Sequence, residues 1–402
     1  MTQVIPQKAR RAAPSTLLRC AALLFPLTAA FASIAASSFS WPHTSRQPVP
    51  PLAQPTLESK LAHLTPGPDA GYSFVAFGDQ RALAGGEWES MMTSIDSLSR
   101  QDPRLLFMLD TGDIVDDGSH TDQFRALAGI LARARSLPYL VGVGNHEVDN
   151  NEPGPSRLNT AAFLKPLDAS LGPNRLYYRR TVGRVRFLFL DSNDLVYEPG
   201  PNVKTRREAQ LAWLVKELKA TPDEPGHPTV VVMHHPFLQS SEKHREQARA
   251  LWSLTYEGRT LPDILADGGV DLVLVGHTHT YERFRATRRD GKGFHLVNFS
   301  GRPLPVFLWI GDGQRRANEI QSGAERLWFY ERGWRNVDGW DLTQEEAMTK
   351  HESDQFAVLH VEPDGGLTMS LRYMNRPGLE APIRLLWGGT ESSAPAPATP
   401  AR

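Results

Sequence analysis

The chain has 402 residues, long enough for a large core and one or two domains; its 44 Lys and Arg against 45 Asp and Glu leave a net charge of −1. That balance gives no reason to expect nucleic acid or another polyanionic partner. The single cysteine, Cys20, excludes both a disulfide framework and a thiolate metal site, so any metal must be held by His, Asp and Asn, which suits Zn, Mn or Fe.

The chain starts basic, with Lys8, Arg10, Arg11 and Arg19, and residues 20–36 carry no charge. Ala30-Phe31-Ala32 gives a small-x-small cleavage pattern. Residues 1–36 are therefore predicted to be a secretory signal, with the mature protein periplasmic or secreted. The alternative is an uncleaved inner-membrane anchor, because the apolar run of ~17 residues is near the lower limit of a span. Residues 37–70, with Pro42, Pro48, Pro50, Pro51, Pro55, Pro66 and Pro68, read as an extended linker. A domain over 71–389 and a disordered tail over 390–402 follow.

Within the domain, strand and helix alternate. Residues 72–77 form a predicted strand that runs into Gly78-Asp79-Gln80-Arg81, and a helix over 87–99 follows. A strand over 105–109 leads to Gly112-Asp113-Ile114-Val115-Asp116-Asp117-Gly118, then to a helix over 121–135. Residues 139–143 end in Gly144-Asn145-His146-Glu147. Residues 185–190 are a strand ending at Asp191-Ser192-Asn193, and 206–219 an amphipathic helix with Leu211, Leu214, Val215 and Leu218 aligned. A strand over 229–233 leads to His234-His235-Pro236, more helix is predicted within 251–265, and a strand over 272–275 leads to Gly276-His277-Thr278-His279. Strands are predicted at 294–300, 356–361 and 367–373, the last two joined by a Pro-Asp-Gly-Gly turn. The pattern predicts an α/β fold of two sheets packed face to face with helices outside. Residues 302–352, with Trp309, Trp328, Trp334 and Trp340, fit this alternation poorly; they read as a packed cap or as a wall of a substrate cleft.

Five strand ends thus present Asp, Asp, Asn, His and His-x-His, and in open α/β sheets chemistry sits beyond the carboxyl ends of strands. Two ions roughly 3.5–4 Å apart need a shared ligand, and a carboxylate can bridge where an imidazole normally cannot. Asp113 is the candidate bridge, Asn145, His234 and His277 would complete one ion, and Asp79 and His279 the other. Alternation along an extended loop would point His277 and His279 at different ions. His235 is read as structural or as support for a ligand. His120, His227, His244, His295, His351 and His360 are read as surface or packing residues. Glu147 either orients a histidine or caps a helix, and Tyr281, Glu282 and Arg283 brace the His277–His279 loop. Taken singly, each Asp or Asn here is equally an ordinary turn or helix-cap residue.

The motif order resembles the calcineurin-like metallophosphoesterase superfamily. The stretches Gly276-His277-Thr278-His279-Thr280-Tyr281-Glu282-Arg283 and Gln210-Leu211-Ala212-Trp213-Leu214 are especially similar to the purple acid phosphatase branch. The resemblance implies a four-layer αββα sandwich and a centre of two divalent or trivalent metal ions (Fe, Mn or Zn). It implies hydrolysis of a small phosphorylated substrate by a metal-bound hydroxide attacking phosphorus in line. His146 would then bind the phosphate and act as general acid. A phosphomonoesterase is expected from the flanking sequence; the alternatives are a phosphodiesterase of the same fold and a non-catalytic phosphate-binding protein. Two positions depart from the pattern. Arg81 stands where many relatives have a ligating His, and its guanidinium has no lone pair to offer. Asp116 stands where purple acid phosphatases have a ligating Tyr. Asp116 is thus a candidate ligand or a partner of His146, and Arg81 a candidate phosphate clamp or a structural ion pair.

Overall fold

The computed structural model describes residues 48–82, 87–152, 154–197, 200–220, 227–239, 244–279, 281–299, 339–348, 355–374, 378–379 and 382–385. The signal segment predicted for 1–36, Trp309, Trp328, Trp334, His351 and the predicted tail lie outside these residues.

The strands in chain order are β1 (Tyr72–Phe77), β2 (Leu105–Asp110), β3 (Tyr139–Val141), β4 (Tyr178–Val182), β5 (Val185–Phe189), β6 (Thr229–Val232), β7 (Thr255–Tyr256), β8 (Arg259–Thr260), β9 (Val270–Val275), β10 (Tyr281–Arg288), β11 (Gly293–Asn298), β12 (Trp340–Met348), β13 (Gln355–Val361), β14 (Leu367–Tyr373) and β15 (Ile383–Arg384). The helices are α1 (Leu57–Ala62), α2 (Glu87–Gln101), α3 (Thr121–Leu131), α4 (Ser156–Leu164), α5 (Asn193–Val196), α6 (Pro201–Ala220), α7 (Arg245–Ser253) and α8 (Leu261–Asp267). Among the described residues no helix is long and apolar enough to cross a membrane.

Two mixed sheets form the centre. One has the order β15-β14-β13-β1-β2-β3 and the other β12-β10-β11-β9-β6-β5-β4. Strands β1, β2 and β3 run parallel, as do β5, β6, β9 and β11, so the motif-bearing carboxyl ends of each set emerge on one edge. Strands β1, β2, β5 and β6 are mostly apolar and buried along their whole length because both of their faces are covered.

Alternation along β5 shows the layering. Phe187 and Phe189 face inward and pack with the first sheet, whereas Leu188 joins the outer layer with Leu211, Leu214 and Leu218 of α6. Across the inner layer Phe74 stacks on Phe107 at 5.0 Å between ring centroids, and Phe187 meets both edge-on at 5.4 and 5.5 Å. Two tyrosines stitch the sheets. Tyr178 Oη accepts the Val141 N–H and donates to the Val141 carbonyl, and Tyr72 Oη donates to the Val182 carbonyl. On the far side of the first sheet, Trp88, Met91, Met92 and Ile95 of α2 and Phe124 and Leu127 of α3 complete the four-layer α/β/β/α order.

The structure adds detail to two local expectations and corrects a third. The helix predicted within 251–265 comes in two pieces: α7 ends at Ser253, a β7–β8 hairpin turns through Glu257 (φ 50°) and Gly258 (φ 76°), and a capping box between Thr260 and Asp263 starts α8. Residues Tyr281, Glu282 and Arg283 open the eight-residue strand β10, which pairs with β11 and β12. In the stretch read as a linker, Thr56 caps α1, and Leu52 and Leu57 are buried against the domain core.

Candidate metal centre

The Asp79 and Asp113 loops are zipped together by main-chain bonds. Asp79 N–H donates to Gly112 O, Arg81 N–H to Asp113 O and Ala82 N–H to Ile114 O, at 2.8–2.9 Å. Asp79, Arg81 and Asp113 all lie at positive φ (60°, 45° and 60°), which turns their side chains out of the strand direction and into the cleft between the loops. The third loop is held by Glu147. Its buried carboxylate accepts the N–H groups of Asp113 (2.8 Å), Gly144 (2.6 Å) and Val115 (3.1 Å), so it ties two loops together and neither orients a histidine nor caps a helix. Burial and the neighbouring Asp113 push the Glu147 carboxyl up to about 8. Gly144 allows this fit, because a Cβ there would lie 2.2 Å from Asp113 Oδ1; one at Gly276 would lie 2.4 Å from Asp79 Oδ2.

Four ligand-type atoms close on one point. Asn145 Oδ1 lies 3.1 Å from His234 Nε2 and 3.0 Å from His277 Nδ1; those two ring nitrogens are 3.2 Å apart, and Asp113 Oδ1 is 3.3 Å from His234 Nε2. The far nitrogens identify the tautomers. His234 Nδ1 donates to the Thr111 carbonyl at 3.2 Å and His277 Nε2 to Gln247 Oε1 at 2.8 Å. Burial holds His277 well below, and His234 below, the ordinary imidazole range, so both rings are neutral. Their near nitrogens therefore carry lone pairs, and they face a carboxylate and an amide oxygen that also offer only lone pairs. Such a set lacks a proton to bond it and is the donor set of a divalent cation, with each histidine oriented from behind by a carbonyl-type acceptor. Tetrahedral ligands at ~2.0–2.2 Å from an ion are separated by about 3.3–3.6 Å, close to the spacings found here. The donors fit one ion, with Asp79, Asp113 and His234 bringing a further ligand-atom set within 4.8 Å of one another.

The other predicted residues gather beside it. Asp79 accepts the His277 N–H with both carboxylate oxygens (3.0 and 2.9 Å), and its Oδ1 is 3.7 Å from His279 Nε2. Burial and the adjacent Asp113 raise Asp79 well above the usual carboxylate range. For Asp113 burial acts in the same direction, but the Arg81 guanidinium beside it and the bond from the His146 N–H act against it, and that carboxyl is held below the usual range. His277 and His279 do face different groups, though not by extended-chain alternation: both sit at positive φ (75° and 56°). His146 Nδ1 donates to the Asp116 carbonyl at 2.6 Å, leaving Nε2 toward the cleft, 3.7 Å from Asp113 Oδ2. Asp116 therefore holds His146 through its main chain. Its side chain is 42% exposed and pairs with Arg81 at 3.4 Å.

Two residues near the centre were not singled out from the sequence. Gln247 supports His277, and only an expectation of which helix packs behind that loop could have found it. His244, read as a surface or packing residue, lies against the His277 ring at 3.9 Å between centroids and bonds Gln247 Oε1 at 2.9 Å. His235 is paired through Nδ1 with Ser192 Oγ, and its ring packs against that of His277 at 4.3 Å between centroids. The predicted turn 191–193 supports the centre from below. Asn193 Nδ2 donates to the carbonyls of Val143 and Gly144, and buried Arg157 pairs with Asp191 (2.8 Å) and Asp194 (3.3 Å).

A double-sheet sandwich whose parallel strands deliver Asp, Asn and His to one edge defines a metal-centred α/β protein. The profile of the calcineurin-like phosphoesterases matches residues 69–281, and the chain belongs to that family. Purple acid phosphatase 21 of Arabidopsis thaliana is 28% identical over 244 residues, covering 58% of this chain and 50% of that protein. Phosphoenolpyruvate phosphatase of Allium cepa is 26% identical over 284 residues, covering 64% and 52%. The chain spans about half the length of these curated relatives. Among solved structures, GAP50, the anchor in the inner membrane complex of Plasmodium, superposes with a TM-score of 0.53 at 14% identity, covering 79% of this chain and 89% of that one. That superposition shows the shared fold.

Proposed function

We propose that this protein is a metal-dependent phosphomonoesterase acting outside the cytoplasmic membrane. The observation that carries the metal requirement is the set of four lone-pair atoms at 3.0–3.3 Å on Asp113, Asn145, His234 and His277. Similarity to proteins named as phosphatases supports the ester class. A bound ion supplies Lewis acidity at the phosphoryl oxygens and an acidified water.

The chain's own residues supply the rest. The carboxylates of Asp79 and Asp113 make the cleft selective for a cation. His146, tethered at Nδ1 by the Asp116 carbonyl, presents Nε2 to the leaving-group oxygen and gives it a proton as the phosphorus–oxygen ester bond breaks. Its side chain is 26% exposed, enough for a substrate to reach it.

The test is turnover of p-nitrophenyl phosphate against bis(p-nitrophenyl) phosphate, with Zn, Mn or Fe added to metal-stripped protein. Faster turnover of the monoester with metal supports the reading. A preference for the bis ester assigns a phosphodiesterase, and no turnover of either with any metal leaves a phosphate-binding protein. Export rests on the basic start and apolar run before residue 37, and recovery of the protein from the cytosol with that segment intact overturns it.

A further inference from the structure

We infer that the Arg81 guanidinium takes the place of the first of the two cations the family pattern implies, so this centre holds one metal ion beside one built-in positive charge. The inference rests on the metal reading above and concerns its other half. That half consists of Asp79, Asp113 Oδ2 and His279. Arg81 Nη2 lies 3.2 Å from Asp113 Oδ2 and 3.4 Å from His279 Nε2, and Nη1 is 3.4 Å from Asp116 Oδ1. The acceptor atoms that would bind an ion there are therefore already met by N–H donors. A guanidinium stays protonated in proteins and offers no lone pair, so it can neighbour those acceptors only as a substitute for the cation.

The placement follows from the backbone. Arg81 N–H is bonded to Asp113 O at 2.9 Å and flanked by the Asp79–Gly112 and Ala82–Ile114 bonds, so its Cα is fixed one residue pair away from Asp113. With φ at 45° the side chain is aimed across the loop, and it is 20% exposed. Asp113 then acts as a bridge of a different kind. Oδ1 turns to His234 and the four-atom cluster (3.3 Å), while Oδ2 turns to the guanidinium (3.2 Å). Asp116, in place of a ligating tyrosine, supplies the counter-charge for Arg81. The two departures from the family pattern, Arg81 and Asp116, are thus one paired change.

The experiment counts metal. Purified protein is loaded with excess Mn(II), desalted and analysed for metal per chain, with electron paramagnetic resonance of the same samples. The wild type is expected to hold one ion and give the resolved hyperfine lines of an isolated Mn(II). Arg81→His, which removes the charge and supplies an imidazole, is expected to hold two and give a coupled-pair spectrum. If Arg81→His does not fold, Arg81→Gln, which removes only the charge, carries the test and is expected to take up a second, weaker ion, counted without desalting by equilibrium dialysis against excess Mn(II). Two ions in the wild type overturn the inference, as does a count that stays at one in whichever variant folds. No ion in any sample refutes the metal centre itself and this inference with it.

Discussion

Replacing Gln247 isolates the contribution of support to a ligand from that of the ligand itself. Gln247 Oε1 accepts the His277 Nε2–H at 2.8 Å, and this bond keeps the Nδ1 lone pair aimed at Asn145 Oδ1. In Gln247→Leu the His277 ring can turn, or move its proton to Nδ1, and metal binding must reverse either change. His277 is only 6% exposed, so water replaces the lost acceptor poorly. Leaving a buried N–H without its acceptor costs about 1–3 kcal/mol. Losing such a partner typically weakens metal binding by about 10–100-fold, or ~1.4–2.7 kcal/mol, and the two figures agree. The assay is chelator competition for Zn(II), with thermal unfolding to show that the variant is folded. Gln247→Glu provides the control, since a carboxylate acceptor makes the imidazole a better donor. The expected order of affinity is Glu at least equal to Gln, and both above Leu. A Leu variant within about threefold of wild type, or a reversed order, would refute the tautomer argument on which the centre rests.

Other substitutions test separate parts of the structure. His146→Ala should retain metal and lose turnover by about 10²–10⁴-fold; loss of metal in that variant would make His146 a ligand. Asp113→Asn should weaken metal binding at least about tenfold more than Asn145→Ala, since the first removes a charge and the second a neutral oxygen; equal losses, read by the same competition, would remove Asp113 from its central place. Arg157→Leu leaves buried Asp191 without its cation and should cost about 3–5 kcal/mol, lowering the unfolding temperature of metal-free protein by roughly 6–15 °C. A shift of under about 2 °C would mean that the carboxylates below the Asn145 loop find other partners.

The sequence by itself determined the donor chemistry and its place at the ends of strands. Apolar runs such as 105–109 and 272–275 are long enough to be buried, and the Gly-Asp, Gly-Asn-His-Glu and Gly-His-x-His groups stop them at turns, so strand and loop are local consequences of residue order. The amphipathic face of α6 and the hairpin joining β13 to β14 were legible for the same reason. The division of the helix predicted within 251–265 into α7 and α8 was not, because apolar spacing is blind to a two-residue turn that depends on Glu257 and Gly258 at positive φ. Which nitrogen of each histidine faces the centre, that Glu147 binds three main-chain amides, and that Asp116 holds His146 by its carbonyl were decided only by the tertiary structure. So was the position of Arg81, which meets His279 across 198 residues of chain. Such contacts depend on how two sheets pack and where their loops cross. No periodicity along the chain encodes the distance between atoms that packing alone brings together.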